Sequence, residues 1–395
     1  MTRSRERQPQ PWMCQVREYK YYEFEAIDRP LGDRERRELR RLSTRARITP
    51  TSFVNDYQWG DFRDSPRRLM ETYFDAFLHF TNGGTHQLML RLPERLVDLA
   101  TARRYCIGAA ATAWTHGDHV IVDLRSENDA SWEWADWADD GRRRMASISR
   151  VRTELLSGDL RALYLSWLLC VQSGEVDDDA VEPRIPSGLQ NLTSGLASFA
   201  DFLRIDVDLV AAAATASDEP IEYSASDVSS WAEGLPAGEK DALIAALLRG
   251  DAHQRAALLK RYREQRTQSD VAESSGRTAG ELLGAAAIRR EKRERVVAER
   301  RAQQRATRER QAIANREKNL AELVLREDEL WHQVSNLVDS SKPSNYNAAV
   351  KILLDLRTMC GRTGRMELFE QRSRQLRLHY ARKRGLLARL DNAGL

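Results

Sequence analysis

The sequence has few cysteines and no long apolar run, and both absences limit the classes of protein it fits. Its four cysteines, Cys14, Cys106, Cys170 and Cys360, lie far apart and form no CxxC or nearby CxxH pair. This pattern matches neither a disulfide framework nor a zinc site. No segment approaches the roughly 18 apolar residues of a membrane-spanning helix, and the polar, basic N-terminal residues lack the apolar core of a signal peptide. We therefore expect a cytoplasmic protein with reduced thiols and no membrane contact.

Catalytic and nucleotide-binding signatures are also absent. The chain contains no GxxxxGK[ST], GxGxxG, HExxH or GxSxG sequence. No local spacing brings a nucleophile, a base and an orienting group together. The sequence predicts no cofactor and no metal, and it leaves open whether distant residues assemble an active site.

Charged residues, in contrast, are abundant. Of the 395 residues, 31% are charged and 42% are hydrophobic, which is typical of a globular protein with much solvated helix. The length favours two or three domains. Because the net charge is only +3, any attraction to a polyanion must come from local clusters of charge.

Residues 17–125 have the pattern of a mixed α/β sheet domain, which follows a basic leader at 1–16 that we predict to be disordered. EYKYYEFEAI alternates like a half-buried strand, and TSFVNDYQWG and QLMLRLP predict further extended segments. AAATAWTHGDHVIVDL predicts a hairpin that turns at His116, Gly117 and Asp118.

Two helices are predicted within the same domain. DRERRELRRLSTRA predicts an exposed helix with Asp33 as its cap. Ser65 followed by Pro66 predicts the start of a second helix that runs through RRLMETYFDAFLHFTN, with Phe74 and Phe77 on its apolar face.

The rest of the chain predicts helices. Residues 130–268 contain three helix pairs, the first broken at Gly158, and form a central helical domain. Thr278 and Glu281 form a capping-box pattern that opens a long basic helix over 278–337. Two shorter helices within 343–395 form a C-terminal helical hairpin. The fold class is thus α+β, mostly α.

The long helix contains the main candidate site. Its stretch RREKRERVVAERRAQQRATRER has few branched apolar residues, so it lacks the seam of a coiled coil. Three interpretations remain open: a solvated charged rod, a surface that binds nucleic-acid phosphates, and a surface that binds an acidic protein. The residues that would form either binding surface are Arg289, Arg290, Lys292, Arg293, Arg295, Arg300, Arg301, Arg305, Arg308 and Arg310.

An acidic, tryptophan-rich segment is the candidate partner surface within the chain. Residues 118–140 contain eight carboxylates and one arginine, together with Trp132, Trp134 and Trp137. Arginine pairs with carboxylates and stacks on indole rings, so this segment suits an arginine-rich helix. The alternative is that these tryptophans only fix the second domain to the first.

Two parts of the sequence resemble known families. The region from YYEFEAIDRPL through TSFVNDYQWGDFR is similar to a family of uncharacterised bacterial proteins that is frequent in high-GC genomes, which implies no established activity. The C-terminal region from LWHQVSNLVDSSKPSNYNAAVKILLDLRTMC resembles the helical tails of bacterial SWIM zinc-finger proteins. The CxC and CxH zinc ligands of that family are absent here. The same stretch also resembles a tetratricopeptide helix pair.

The leading hypothesis is a non-enzymatic adaptor or scaffold that binds protein partners and, through the basic helix 289–310, a nucleic-acid backbone. One alternative is an enzyme of unknown class with a site in the N-terminal domain near His86, His116, Asp118 and His119. Another is a structural homo-oligomer formed through the long helix. The oligomeric state does not follow from the sequence.

Overall fold

The computed structural model describes residues 19–58, 62, 64–127, 137–219, 225–249, 253–267, 276–325, 327–340 and 342–395. The predicted leader at 1–16 lies outside these residues. The chain divides into two compact units, Met1–Lys292 and Arg293–Leu395. The first contains a β-sheet and helices and the second is helical, which confirms an α+β fold that is mostly α.

Seven antiparallel strands form one sheet in the first unit. The strands are β1 Lys20–Glu25, β2 Arg47–Ile48, β3 Ser52–Tyr57, β4 Ala76–Thr81, β5 Thr85–Pro93, β6 Ala111–His116 and β7 His119–Glu127. Their order across the sheet is β2-β3-β1-β4-β5-β7-β6. β1 is therefore an interior strand, and it pairs with β3 and β4 over its whole length.

The strand predicted around Tyr22 is confirmed as β1, but its predicted half-burial is wrong. Tyr21 and Glu23 lie on one face of the sheet and Tyr22 and Phe24 on the other, and each of the four is at most 6% exposed. The Tyr21 hydroxyl donates a hydrogen bond to Glu23 Oε2 at 2.8 Å, so the buried carboxylate has a partner. Both faces are covered, so the alternation in the sequence does not mark a solvent side.

The predicted helix over RRLMETYFDAFLHFTN is wrong in its second half. Helix α2 spans only Pro66–Thr72, and Ala76–Thr81 forms strand β4. All six residues of β4 are buried, because the strand lies between β1 and β5 with both faces covered. A continuous apolar run of this kind is compatible with a buried strand or a buried helix.

The hairpin predicted from AAATAWTHGDHVIVDL is confirmed as β6 and β7. His116 pairs with His119 at its end. Gly117 has a φ of +60°, a conformation that favours glycine, and the turn is completed by Asp118.

Helices pack on both faces of the sheet. The other helices that begin in the first unit are α1 Asp33–Leu42, α3 Leu99–Arg103, α4 Trp137–Leu156, α5 Arg161–Gln172, α6 Ser194–Phe202, α7 Val207–Ala213, α8 Ala225–Glu233, α9 Ala237–Arg249, α10 Gln254–Thr267 and α11 Ala279–Leu325. Leu39 of α1 and Leu69 of α2 pack against Phe24 on one face. Met145 of α4 packs on the other, where the sheet shares one core with α5, α6 and α7.

The beginning of α11 is fixed to the first unit by backbone and side-chain bonds. Thr278 N donates to Glu281 Oε2 at 3.0 Å and Glu281 N donates to Thr278 Oγ1 at 3.3 Å, which confirms the predicted capping box. Thr278 also forms an isolated antiparallel bridge with Val181. Ala279 N donates to the carbonyl of Ala180 at 3.0 Å.

A buried ionic group lies beside this helix start. Arg277 donates from Nε and Nη2 to the two carboxylate oxygens of Glu182, each at 2.8 Å, and the Glu182 side chain is 0% exposed. The Tyr164 hydroxyl donates to the same carboxylate. Burial and the charge of Glu182 raise the pKa of Tyr164 well above its usual value, so its hydroxyl remains a donor.

A second ionic group joins α4 to the loop after β1. Arg152 donates to both carboxylate oxygens of Asp28, at 2.8 Å and 2.6 Å, and its side chain is 2% exposed. Burial of Asp28 opposes ionisation, but hydrogen bonds from His253 and Arg152 hold its pKa below its usual range. Arg91 donates from Nε and Nη2 to a single oxygen, Oδ1, of the buried Asp75 carboxylate, at 3.1 Å and 2.7 Å.

The second unit contains the rest of α11 and a small helical core. Its further helices are α12 Glu327–Asp339, α13 Pro343–Arg362, α14 Met366–His379 and α15 Arg384–Asn392. Helices α13 and α14 correspond to the predicted hairpin, and α15 packs on α13. Val334, Leu353, Leu376 and Leu386 are buried together between these helices.

Candidate polyanion-binding surface

The predicted cluster at the β6–β7 turn lies at the surface. Asp118 is 93% exposed and pairs with His119 Nδ1 at 2.7 Å, and His116 Nδ1 lies 3.9 Å from a Glu71 oxygen. Within the ranges that the structure describes, no three histidine, cysteine or carboxylate side chains are placed to hold a metal ion. The turn therefore presents solvent-facing polar groups and does not enclose a substrate.

His86 does not join this cluster. It lies seven residues along β5 from Pro93, which pairs with His119, so about 23 Å of strand separates the two positions. The four residues of the sequence-predicted enzyme site are thus not brought together.

His86 instead has a structural environment. Its Nδ1 lies 2.5 Å from the carbonyl of Phe202, and Arg204 Nη2 lies 3.0 Å from its Nε2. Because a guanidinium can only donate, Nε2 accepts and Nδ1 carries the proton. Burial, with Arg204 nearby, lowers the pKa of His86 to about 4, so the ring is neutral near pH 7.

The predicted tryptophan surface falls mostly outside the described residues. Trp132 and Trp134 lie in the segment 128–136, which the structure does not describe. Trp137 is the first residue of α4, and its side chain is likewise not described. The docking of the arginine-rich helix on these tryptophans stays a prediction.

Beyond its first turns, α11 is exposed. Ala279, Leu282 and Ala286 are buried against the first unit, whereas every residue from 287 to 316 is exposed. All ten basic residues predicted as a binding surface lie in this exposed part. The helix is about 70 Å long over its 47 residues, at 1.5 Å per residue.

The basic residues of α11 are concentrated on one side of the helix. Successive side chains are rotated by about 100°, which places eight of the ten basic residues in one half of the circumference. This half, called here the basic stripe, contains Arg289, Arg290, Lys292, Arg293, Arg300, Arg301, Arg308 and Arg310. The other half contains all four glutamates, Glu291, Glu294, Glu299 and Glu309, together with Arg295 and Arg305.

Much of the stripe is free of internal ion pairs. Arg300, Arg301, Arg308 and Arg310 form no ion pair or hydrogen bond with the residues that the structure describes. The helix-stabilising pairs that the sequence suggested, Glu291 with Arg295 and Arg305 with Glu309, are not formed within this part of the chain either. At the N-terminal end of the stripe, in contrast, Arg290 forms an ion pair with Asp206 in the first unit.

The charge of the chain is divided unequally between the two units. Residues 1–292 contain 40 basic and 46 acidic residues, a net charge of −6, and residues 293–395 contain 22 and 13, a net charge of +9, with histidine neutral. The small overall charge therefore conceals a strongly basic second unit.

The helices after α12 add to this basic character. Six exposed basic side chains between 343 and 395 have no ion pair with described residues: Lys351, Arg357, Arg362, Arg374, Arg382 and Arg384. Sequence reasoning missed them, although a net charge calculated for 293–395 alone would have indicated them. They lie in a part of the chain where basic residues are less densely spaced than in 289–310.

Comparison with known protein families, with curated proteins and with solved structures finds no match. The resemblances of the N-terminal and C-terminal regions therefore stay predictions. Among the described helices, none combines the length and the hydropathy needed to span a bilayer.

Proposed function

We propose that this chain is a non-enzymatic adaptor of the cytoplasm that binds protein partners and binds the phosphate backbone of a nucleic acid through the basic stripe of α11. The observation that carries the proposal is the separation of charge around α11. Eight basic residues share one exposed half of the helix, and all four glutamates of the same stretch lie on the other half.

Phosphate is the ligand chemistry that suits this stripe. The stripe extends about 32 Å from Arg289 to Arg310 at 1.5 Å per residue, and seven of its eight cations are arginines. Guanidinium groups donate two parallel hydrogen bonds to phosphate oxygens, and their binding releases the counterions that condense on a nucleic acid.

The expected binding does not depend on base sequence. No aromatic residue occurs between 289 and 310, so the stripe has no platform on which bases stack. Contacts to phosphate fix the position of a nucleic acid without reading its bases. The stripe should bind duplexes of unrelated sequence with similar affinity.

The enzyme alternative has less support than the binding proposal. It required His86, His116, Asp118 and His119 to converge, and the structure separates His86 from the other three. The homo-oligomer alternative stays a prediction, and sedimentation of the full chain would test it.

The proposal is tested by two double variants with the same change in net charge. Arg300→Gln with Arg308→Gln removes two cations from the stripe, and Arg295→Gln with Arg305→Gln removes two from the opposite half. Binding of the full chain to a labelled duplex is measured by fluorescence anisotropy at low salt. We expect the stripe variant to bind about tenfold more weakly and the control variant to change by less than about twofold.

Three results would contradict the proposal. Equal weakening by both variants would show that net charge, and not the stripe, governs binding. If the full chain bound neither duplex DNA, single-stranded DNA nor RNA at low salt, the nucleic-acid-binding part of the proposal would be wrong. Equally tight binding to polyglutamate in a competition assay would show that the stripe selects negative charge in general.

A further inference from the structure

A shallow groove lies between α1 and the edge strand β2, in the first unit. Its volume is about 450 Å³, and it is lined by Asp33, Arg36, Arg37, Arg40 and Ile48. Three cations and one carboxylate therefore face the same space. The volume falls within the roughly 300–1,000 Å³ of sites that bind small molecules.

Arg40 is held in place by the backbone that follows α1. Its Nη1 donates to the carbonyl oxygens of Ala46 at 2.6 Å, Thr44 at 3.1 Å and Ser43 at 3.4 Å. These bonds fix the plane of the guanidinium. Its Nε and Nη2 donate to no described residue, so they remain available to a ligand.

Arg36 and Arg37 also have unused donors. Arg36 Nη2 is bonded to Asp33, but Arg36 Nε is buried and has no hydrogen-bond partner. The Nη1 of Arg36 donates to no described residue, so it remains available to a ligand. Arg37 forms no ion pair or hydrogen bond with the residues that the structure describes.

We infer that this groove binds a phosphate group carried on an organic body. Unused donors on three guanidinium groups suit the several acceptor oxygens of a phosphate, and Asp33 is already engaged by Arg36. Ile48 adds an apolar wall for the organic part. The site lies in α1 and β2 and does not depend on the function proposed for α11.

The phosphate could belong to a small organic phosphate or to a nucleic-acid strand, and the experiment separates these sources. The full chain carrying Arg300→Gln and Arg308→Gln is used, so that the stripe of α11 contributes less to binding. Adenosine 5′-monophosphate, adenosine and a short single-stranded oligonucleotide are titrated by calorimetry. We expect the monophosphate to bind and adenosine, which lacks the phosphate, not to bind.

The variants Arg36→Ala and Arg37→Ala should each weaken binding of the monophosphate at least about fivefold. Arg45→Ala is the matched control, because Arg45 is an exposed arginine near the groove but does not line it. It should leave binding unchanged. Since Arg37 contacts no described partner, Arg37→Ala should also leave the unfolding temperature unchanged.

The outcomes decide whether the groove binds phosphate and which kind of molecule carries that phosphate. Binding of the oligonucleotide alone, with the same loss in the Arg36 and Arg37 variants, would support the groove as a phosphate site for a strand. Binding of neither phosphate ligand would overturn the inference. An equal loss in the Arg45 control would also overturn it, because the effect would then follow from general charge.

Discussion

Arginines in the two regions of this molecule have different surroundings. In the first unit, Arg152 and Arg277 are bonded through two nitrogens to the carboxylates of Asp28 and Glu182. On the exposed part of α11, Arg300 and Arg308 have no carboxylate partner among the described residues. Buried arginines of the first unit therefore stabilise the fold, whereas these exposed arginines of α11 remain available to a ligand.

Burial explains the difference. A buried cation without a partner is strongly unfavourable, so Arg152 and Arg277 require carboxylates. An exposed cation on a helix is solvated by water and needs no partner, and its ion pairs contribute only tenths of a kcal/mol. Substitutions that break the buried ion pairs of the first unit should therefore alter folding, and substitutions of exposed arginines on α11 should alter binding.

The largest effect is expected at Glu182. Glu182→Ala leaves the Arg277 guanidinium and the Tyr164 hydroxyl without their shared partner. We expect a loss of about 3–5 kcal/mol in the free energy of unfolding, measured with urea. Glu309→Ala on α11 is the control and should change stability by less than about 0.5 kcal/mol. Similar losses in the free energy of unfolding for the two variants would contradict the expected difference between the first unit and α11.

The next effect is a dependence of stability on pH that comes from His86. Its pKa is about 4 in the folded chain and about 6.5 when unfolded, so the unfolded state binds a proton first as the pH falls. Above pH 6.5 the protonation of His86 does not reduce the free energy of unfolding. Between pH 6.5 and pH 4 it reduces this free energy progressively. The loss at pH 4 is about 3 kcal/mol.

Urea unfolding between pH 7 and pH 4 would measure this loss. His86→Phe removes the titrating group, so it should lower stability at pH 7 but reduce the slope between pH 6.5 and pH 4. An unchanged slope in that variant would show that other groups cause the pH dependence.

The smallest effect distinguishes the fixed start of α11 from its next turn. A methyl group on Gly280 would lie 3.0 Å from the Asp178 carbonyl oxygen, whereas one on Gly284 would have no heavy atom within 4 Å. Gly284→Ala should stabilise the protein by about 0.5–1 kcal/mol through helix propensity. Gly280→Ala should destabilise it by about 1 kcal/mol, because the backbone of Asp178 must move. Stabilisation by both substitutions would show that the 176–180 loop does not hold the helix start closely.

Local signals predicted many elements of the fold correctly. The Thr278 and Glu281 pair predicted the start of α11, and Gly158, with a φ of +84°, separates α4 from α5 as expected. The helix α1, however, is capped by Gly32 and not by Asp33. An offset of one residue is common at helix ends, because the terminal turns fray and their boundaries differ by a residue or two.

The sheet could not be derived in the same way. β1 pairs with β3 and β4, so its partners depend on contacts far apart in the sequence. β4 was missed because Phe77 and Leu78 are buried on opposite faces and give no alternation of polar and apolar residues. The alternation of polar and apolar residues identified β1, but a continuous apolar run such as that of β4 does not distinguish a buried strand from a buried helix.

The candidate sites were predictable to different degrees. The ten basic residues of α11 and their helical spacing are present in the sequence, so a projection at 100° per residue gives the stripe without a structure. The groove at α1 is different. It depends on the bonds of Arg40 to Ala46 and on the position of Ile48 in β2, and both follow from tertiary folding.

The salt dependence of nucleic-acid binding tests the central proposal most directly. The logarithm of the association constant of the full chain for duplex DNA is measured against the logarithm of salt concentration. Each lost phosphate contact should reduce the slope by about 0.9, so Arg300→Gln with Arg308→Gln should reduce it by about 1.8. The control variant with Arg295→Gln and Arg305→Gln should retain the original slope. Equal slopes for the stripe variant and the unaltered chain would contradict binding through the basic stripe.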